Sequence, residues 1–175
     1  TAFNEADTEE KVIAFLKEYE GVLGTVITKE KQNSTFYKYL ASKKASSVDQ
    51  DGLNQIIGFY NDGMLKECIA QAKTAADVKK ALADYDTNHL FTNEDLELVA
   101  ERGLDRELAS LLEGRTYSEA VDAVSRLNEA VFLALFNTTD SRDEMIKLFE
   151  KYNEEYVGVH TGSGSNYSKA DKKAL

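Results

Sequence analysis

The sequence predicts an all-α protein, a helical bundle made of about two and a half copies of a multi-helix unit of roughly 66 residues. Three observations predict it. The 175 residues contain no proline, the strongest helix breaker. Apolar residues recur at the 3.6 period of a helix, and no period-2 stretch is long enough for a strand that carries a sheet. Helix-start signatures, an oxygen acceptor followed three residues later by a carboxylate or amide, recur along the chain. Hydrophobic residues make up 42% and charged residues 30%, the balance of a globular chain rather than a disordered one.

Taken in order, Asp7-x-x-Glu10 opens a helix expected over 8–20. A loop then runs to Ser34; within it Thr25 to Thr28 has β character but is too short for a sheet. A second helix is expected over 35–45, and Ser47-x-x-Gln50 precedes a long one over 50–71, weakened at Gly58 and Gly63. Thr74-x-x-Asp77 starts a helix over 75–85, and Thr92-x-x-Asp95 a short one over 93–101. Another short helix follows over 104–113. Gly103 and Gly114 stand where helix ends favour a left-handed residue. Thr116-x-x-Glu119 opens a long helix over 117–136, and Ser141-x-x-Glu144 one over 141–153. His160 to Ser165 reads as a flexible loop. Ser168-x-x-Asp171 is expected to begin a further helix, cut off at Leu175 within a larger protein, and the start at Thr1 is expected to be a processed or trimmed one.

The repeat rests on three ungapped segments, 6–19, 72–85 and 139–152. Each has a polar cap, an apolar residue (Val12, Val78, Met145), a second one four on (Leu16, Leu82, Phe149), and a closing tyrosine. Tyr19, Tyr85 and Tyr152 are spaced by 66 and 67. The likeness extends backwards: 59–72 aligns with 126–139, which sets Asn61-Asp62 over Asn128-Glu129. Phe3 and Phe136 match as well, each followed by asparagine. The expected organisation is one domain, 1–175, with units over 6–71, 72–138 and a partial 139–175. Its core is expected between the two long helices, from a stripe of Leu53, Ile56, Ile57, Tyr60, Met64 and Cys68 and another of Val121, Val124, Leu127, Val131 and Ala134.

Catalytic and ligand-binding patterns are missing from the linear order. His89 and His160 lie far apart and outside any HExxH, so a zinc site or nucleophile–base pair built on them would need partners that the linear order does not place, and surface or loop roles are expected. Cys68, the single cysteine, sits on an apolar stripe beside Glu67, where a thiolate is disfavoured. Asp49-x-Asp51-Gly52 begins like a calcium loop, but the bidentate carboxylate six places after the glycine is replaced by Gly58. The chain holds 31 carboxylates, none marked as an acid–base pair, and no glycine-rich phosphate loop. Gly162-Ser-Gly-Ser reads as a spacer. The triplets at Asn33, Asn137 and Asn166 match the glycosylation pattern, which is short and recurs by chance. Phe36, Tyr37, Tyr39, Phe59 and Tyr60 gather in the first half, as core or as a contact surface. No catalytic, metal or cofactor residue is expected.

The net charge of −10 repels phosphates, which argues against a nucleic-acid partner. No apolar run approaches the ~18 residues of a membrane span.

The segment 127–159 carries a resemblance. Leu127, Asn128, Ala130, Val131, Phe136, Asn137, Glu144, Met145, Tyr152 and Gly158 resemble the pattern of helical repeats in large secreted and S-layer-associated proteins of Firmicutes. The run from Gly114 to Ser118 resembles the turn before that family's long helix. The likeness covers about Thr92 to Gly158 and is poor over the first 70 residues. It is carried by packing and capping residues, and implies a non-enzymatic spacer or adhesion module at the cell surface, without catalytic residues. Function is therefore expected in helix-face contacts with a protein partner or another copy, outside the cell, with the cytoplasm as the second location. A self-assembling virus or phage coat or connector subunit is the second expectation. A helical small-ligand binder or enzyme, its site between the long helices, is the third.

Overall fold

The computed structural model describes residues 2–19, 33–43, 48–91 and 95–152. Apart from caps and turns the described residues are helical, with no strand, and form a helical bundle. A 3-10 turn, Ala2–Glu5, leads into α1, Glu9–Glu18. Then come α2, Ser34–Ser42, and α3, Gln50–Gln71, the longest at 22 residues. α4 is Ala75–Tyr85, α5 Asp95–Glu101 and α6 Asp105–Leu112. The 18-residue α7 is Ala120–Asn137, and α8 is Arg142–Tyr152. The loop ahead of Ser34, the expected cap at Ser47, the residues at 92–94 and the expected elements beyond 152 lie outside the described residues.

Local chemistry sets these bounds. Thr74 accepts the Asp77 N–H at 3.1 Å while Asp77 accepts the Thr74 N–H at 3.0 Å, so two N–H groups without a helical partner are satisfied reciprocally. Asp49 caps α3 by accepting the Gly52 N–H at 2.9 Å. Gly103 and Gly114 close α5 and α6 at φ +68° and +70°, where a Cβ would be strained. Three starts differ from the sequence reading, α3 among them, which Asp49 caps rather than Ser47. α1 is capped by Thr8, which accepts the Lys11 N–H, while Asp7 pairs with the Lys11 ammonium at 2.6 Å. α7 is capped at Glu119 rather than Thr116, its N–H held by the Asp122 carboxylate at 3.1 Å. The Lys66 ammonium donates to the Ser118 carbonyl at 2.9 Å, which keeps the residues before Glu119 out of the helix.

α3 and α7 pack against each other at the centre, with α4 and α2 on α3 and with α5, α6 and α8 on α7. α1 packs on α2. One apolar cluster runs from Phe3 to Leu135. Its deepest side chains include Phe36, Leu65, Ile69, Leu108, Leu127 and Leu135. Burying such a side chain fully stabilises by about 1.5–3 kcal/mol. The stripe on α7 departs from expectation in one residue: Val121 is 48% exposed, and Ala120 and Ala123 face the core beside the expected Val124.

The helical hairpins α3–α4 and α7–α8 correspond position by position. Gln71 and Asn137 end the long helices, 66 apart, and Thr74 and Ser141 precede the short ones, 67 apart. With Thr8 as the α1 cap, each of Tyr19, Tyr85 and Tyr152 follows its cap by eleven positions. On the long helices, buried Leu53, Ile57, Tyr60, Asn61 and Leu65 have Ala120, Val124, Leu127, Asn128 and Phe132 at the same offset, all buried. The correspondence stops between the hairpins. α5 and α6 intervene between α4 and α7, whereas α2 alone is described between α1 and α3.

The hairpins differ in how closed they are. Val12 and Val78 are fully buried, but Met145 at the matching place is half-buried. Leu65, Ile69 and Leu82 in the first hairpin are replaced by Phe132, Phe136 and Phe149 in the second. These three rings meet at centroid distances of 5.0–5.8 Å and form a satellite cluster. Two exposed ion pairs fasten α8 to the α5 end: Arg102–Glu144 at 3.0 Å and Lys151–Asp95 at 2.7 Å.

Candidate functional site

Two large apolar side chains stand out among the described residues: Phe59, 68% exposed on α3, and Val121 at the start of α7. Phe59 lies outside the core for a geometric reason. Its neighbour Tyr60 points inward, 5.1 Å from the Phe36 ring, and successive residues of a helix do not share a face. Phe59 and Val121 line one open cleft of about 440 Å³, with Asp62, Gly63, Lys66 and Glu119 at its floor and rim.

Gly63 gives this cleft its floor. It falls one turn after Phe59, on the same helical face, and a Cβ placed there meets no atom within 4 Å. A second cleft of about 420 Å³ shares Gly63 and Lys66 and runs past Glu67 and Ala70 to Arg115 and Tyr117. The Lys66–Ser118 hydrogen bond stands where the two meet. At the α7 N-terminus the Asp122 carboxylate already occupies the Glu119 N–H, so this end is not an open anion site.

A third cleft, of about 410 Å³, lies between α3 and α4 and contains Cys68, Lys80, Asp84 and Tyr85. Burial pushes the Cys68 thiol up, with the Glu67 and Asp84 carboxylates adding to the shift. Burial likewise raises the Tyr60 and Tyr85 hydroxyls. All three stay protonated at neutral pH, so the thiol is a poor nucleophile. Lys80 is paired with Asp84 at 2.7 Å.

The remaining residues marked by the sequence are scattered. His89 is an exposed turn residue with φ +50°. The turn is built by Asp86, whose two carboxylate oxygens accept the Leu90 and Phe91 N–H groups at 2.8 and 2.9 Å. His160 lies outside the described residues. Asp49 is a helix cap, and Asn33 likewise caps α2 through the Phe36 N–H. Phe36 and Tyr60 are core, while Tyr37 and Tyr39 are half-buried against it. Among the described residues no three His, Cys, Asp or Glu side chains group so as to hold a metal ion. No described helix is long and apolar enough to cross a membrane.

No protein-family model, curated protein or solved structure matches the chain.

Proposed function

We propose that the chain is a non-enzymatic helical module that works through protein contacts, as a spacer or adhesion repeat of a bacterial surface protein. One observation carries this reading. The α7–α8 hairpin repeats the α3–α4 hairpin in its cap, end and buried asparagine, yet leaves half-buried, at Met145, the place that Val78 fills in the interior. A unit of this kind closes only when a neighbour covers its outer face, as in stacked helical repeats. The cell-surface location belongs to the same reading and rests on the resemblance at 127–159.

The half-open α8 face also fits a second reading, a coat or connector subunit that covers the face with another copy of itself. Sedimentation velocity over a wide concentration range, with and without millimolar calcium, separates the two. A monomer at every concentration supports the spacer module. Discrete closed oligomers or filaments would sink that reading in favour of the subunit.

A further inference from the structure

We infer that the cleft floored by Gly63 is a docking site for a segment of another protein that presents an apolar side chain flanked by lysine or arginine. This proposal is separate from the stacking of hairpins: it concerns the side of the bundle at α3 and the start of α7, not the α8 face.

The floor is the first support. Glycine in the middle of an exposed helix costs about 1 kcal/mol against alanine. No packing reason accounts for Gly63, since a Cβ there would meet nothing within 4 Å. What the missing side chain does is leave the cleft open beside Phe59. The walls are the second. Phe59, 68% exposed, and Val121, 48% exposed, are the large apolar residues that the described surface leaves in water, and they line the same cleft. Aromatic anchors beside a small recess are what a hot spot for protein contacts requires.

The rim identifies the partner. Asp62 and Glu119 line the cleft, and Asp122 stands beside Glu119, its carboxylate on the Glu119 N–H. Against the two lining carboxylates and the adjacent Asp122 stands one ammonium, Lys66, which donates to the Ser118 carbonyl at 2.9 Å. An acidic rim around an apolar floor selects a partner with an apolar centre and cationic flanks. The overall charge of −10 opposes a second copy of this chain in the same place.

The test uses the whole chain and a synthetic amphipathic peptide of leucine and lysine, followed by amide shifts in nitrogen–proton correlation spectra. Two control peptides are run beside it, one with glutamate replacing lysine and one with the order scrambled so that the leucines no longer share a face. The expected result is a perturbation centred on Phe59, Gly63 and Val121. Phe59→Ser and Gly63→Leu should each weaken binding by about tenfold or more, the effect of losing one anchoring contact. Gly58→Ala, on the same helix but outside the cleft, should bind as the unaltered chain does. Urea midpoints confirm that each variant is folded. The proposal is overturned if the lysine peptide does not bind, if its shifts centre elsewhere, if both cleft variants bind unchanged, or if either control peptide binds equally. Sedimentation of the free chain does not enter these outcomes, so this site and the stacking reading fail separately.

Discussion

Asn61 and Asn128 occupy the same place on the two long helices, 67 positions apart, and each is 1% exposed. They are the buried asparagines of the core, and each is engaged within the fold. Each places a polar amide at a matching buried point of the two central helices, with its Oδ1 not hydrogen-bonded among the described residues. Replacing either by alanine removes the interaction that the rest of the residue makes and opens a small cavity, and should cost about 1–3 kcal/mol. Urea unfolding of both single variants checks this; a loss below half a kcal/mol at either position would show that the amide adds nothing net to the core.

The matching positions Val78 and Met145 make a second comparison. Val78→Ala removes two fully buried methyl groups and should lose about 2 kcal/mol. Met145→Ala should lose less than half as much in the isolated chain, because its side chain is only partly buried. If the two losses are equal by thermal or urea unfolding, the α8 face is closed in solution.

The capping box of α4 gives a pH dependence. Hydrogen bonds from the Lys73 and Thr74 N–H groups and the Thr74 hydroxyl hold the Asp77 carboxyl below the usual carboxylate range. The folded value is depressed, so the unfolded chain binds the proton more readily. The stabilisation is therefore complete above the ordinary aspartate value of about 3.9 and is lost as pH falls through the lower folded value. Thr74→Ala should cost about 1 kcal/mol near neutral pH and should bring the Asp77 titration, followed by carbon NMR, back toward the ordinary value. An unchanged titration in that variant would rule out the Thr74 hydroxyl as a contributor and leave the shift to the Lys73 and residue-74 N–H groups, which alanine keeps.

Two glycines should respond in opposite directions. Gly58 lies in mid-helix with open space at its Cβ position, so Gly58→Ala should stabilise by about 0.5–1 kcal/mol. Gly103 holds φ +68° after α5, so Gly103→Ala should destabilise by about 1–2 kcal/mol. Thermal unfolding of the pair decides it, and changes of the same sign would contradict the two conformations.

Much of the helical layout was legible. The bounds of α3 and α4 follow from the sequence because Thr74 and Asp77 mark a start unambiguously and the apolar period runs unbroken on both sides. Gly103 and Gly114 marked their helix ends for the same kind of reason, since only glycine adopts the left-handed conformation freely. The start of α7 was less legible. Thr116 and Glu119 satisfy the same cap pattern as Glu119 and Asp122, and the choice between them is made by Lys66, which is distant in sequence. Val121 was misplaced on the core stripe because periodicity favours the larger apolar residue. Packing of α3 on α7 instead turns the small residues Ala120 and Ala123 inward. The cleft was therefore not visible: it depends on where α7 begins and on Phe59 pointing away from its aromatic neighbours. The signal in the sequence was the pair Gly58 and Gly63 in mid-helix, neither explained by packing, and nothing in the linear order set Gly63 apart.

The fastening of α8 has a mechanical consequence. Its ion pairs to the α5 end are exposed, and such pairs contribute only about 0–1 kcal/mol each and weaken with salt. The phenylalanine seam to α7 is a small cluster set apart from the main core. Among the described helices α8 is therefore held by less buried apolar surface than α3 or α7, and the share of its attachment that the ion pairs supply falls as salt rises.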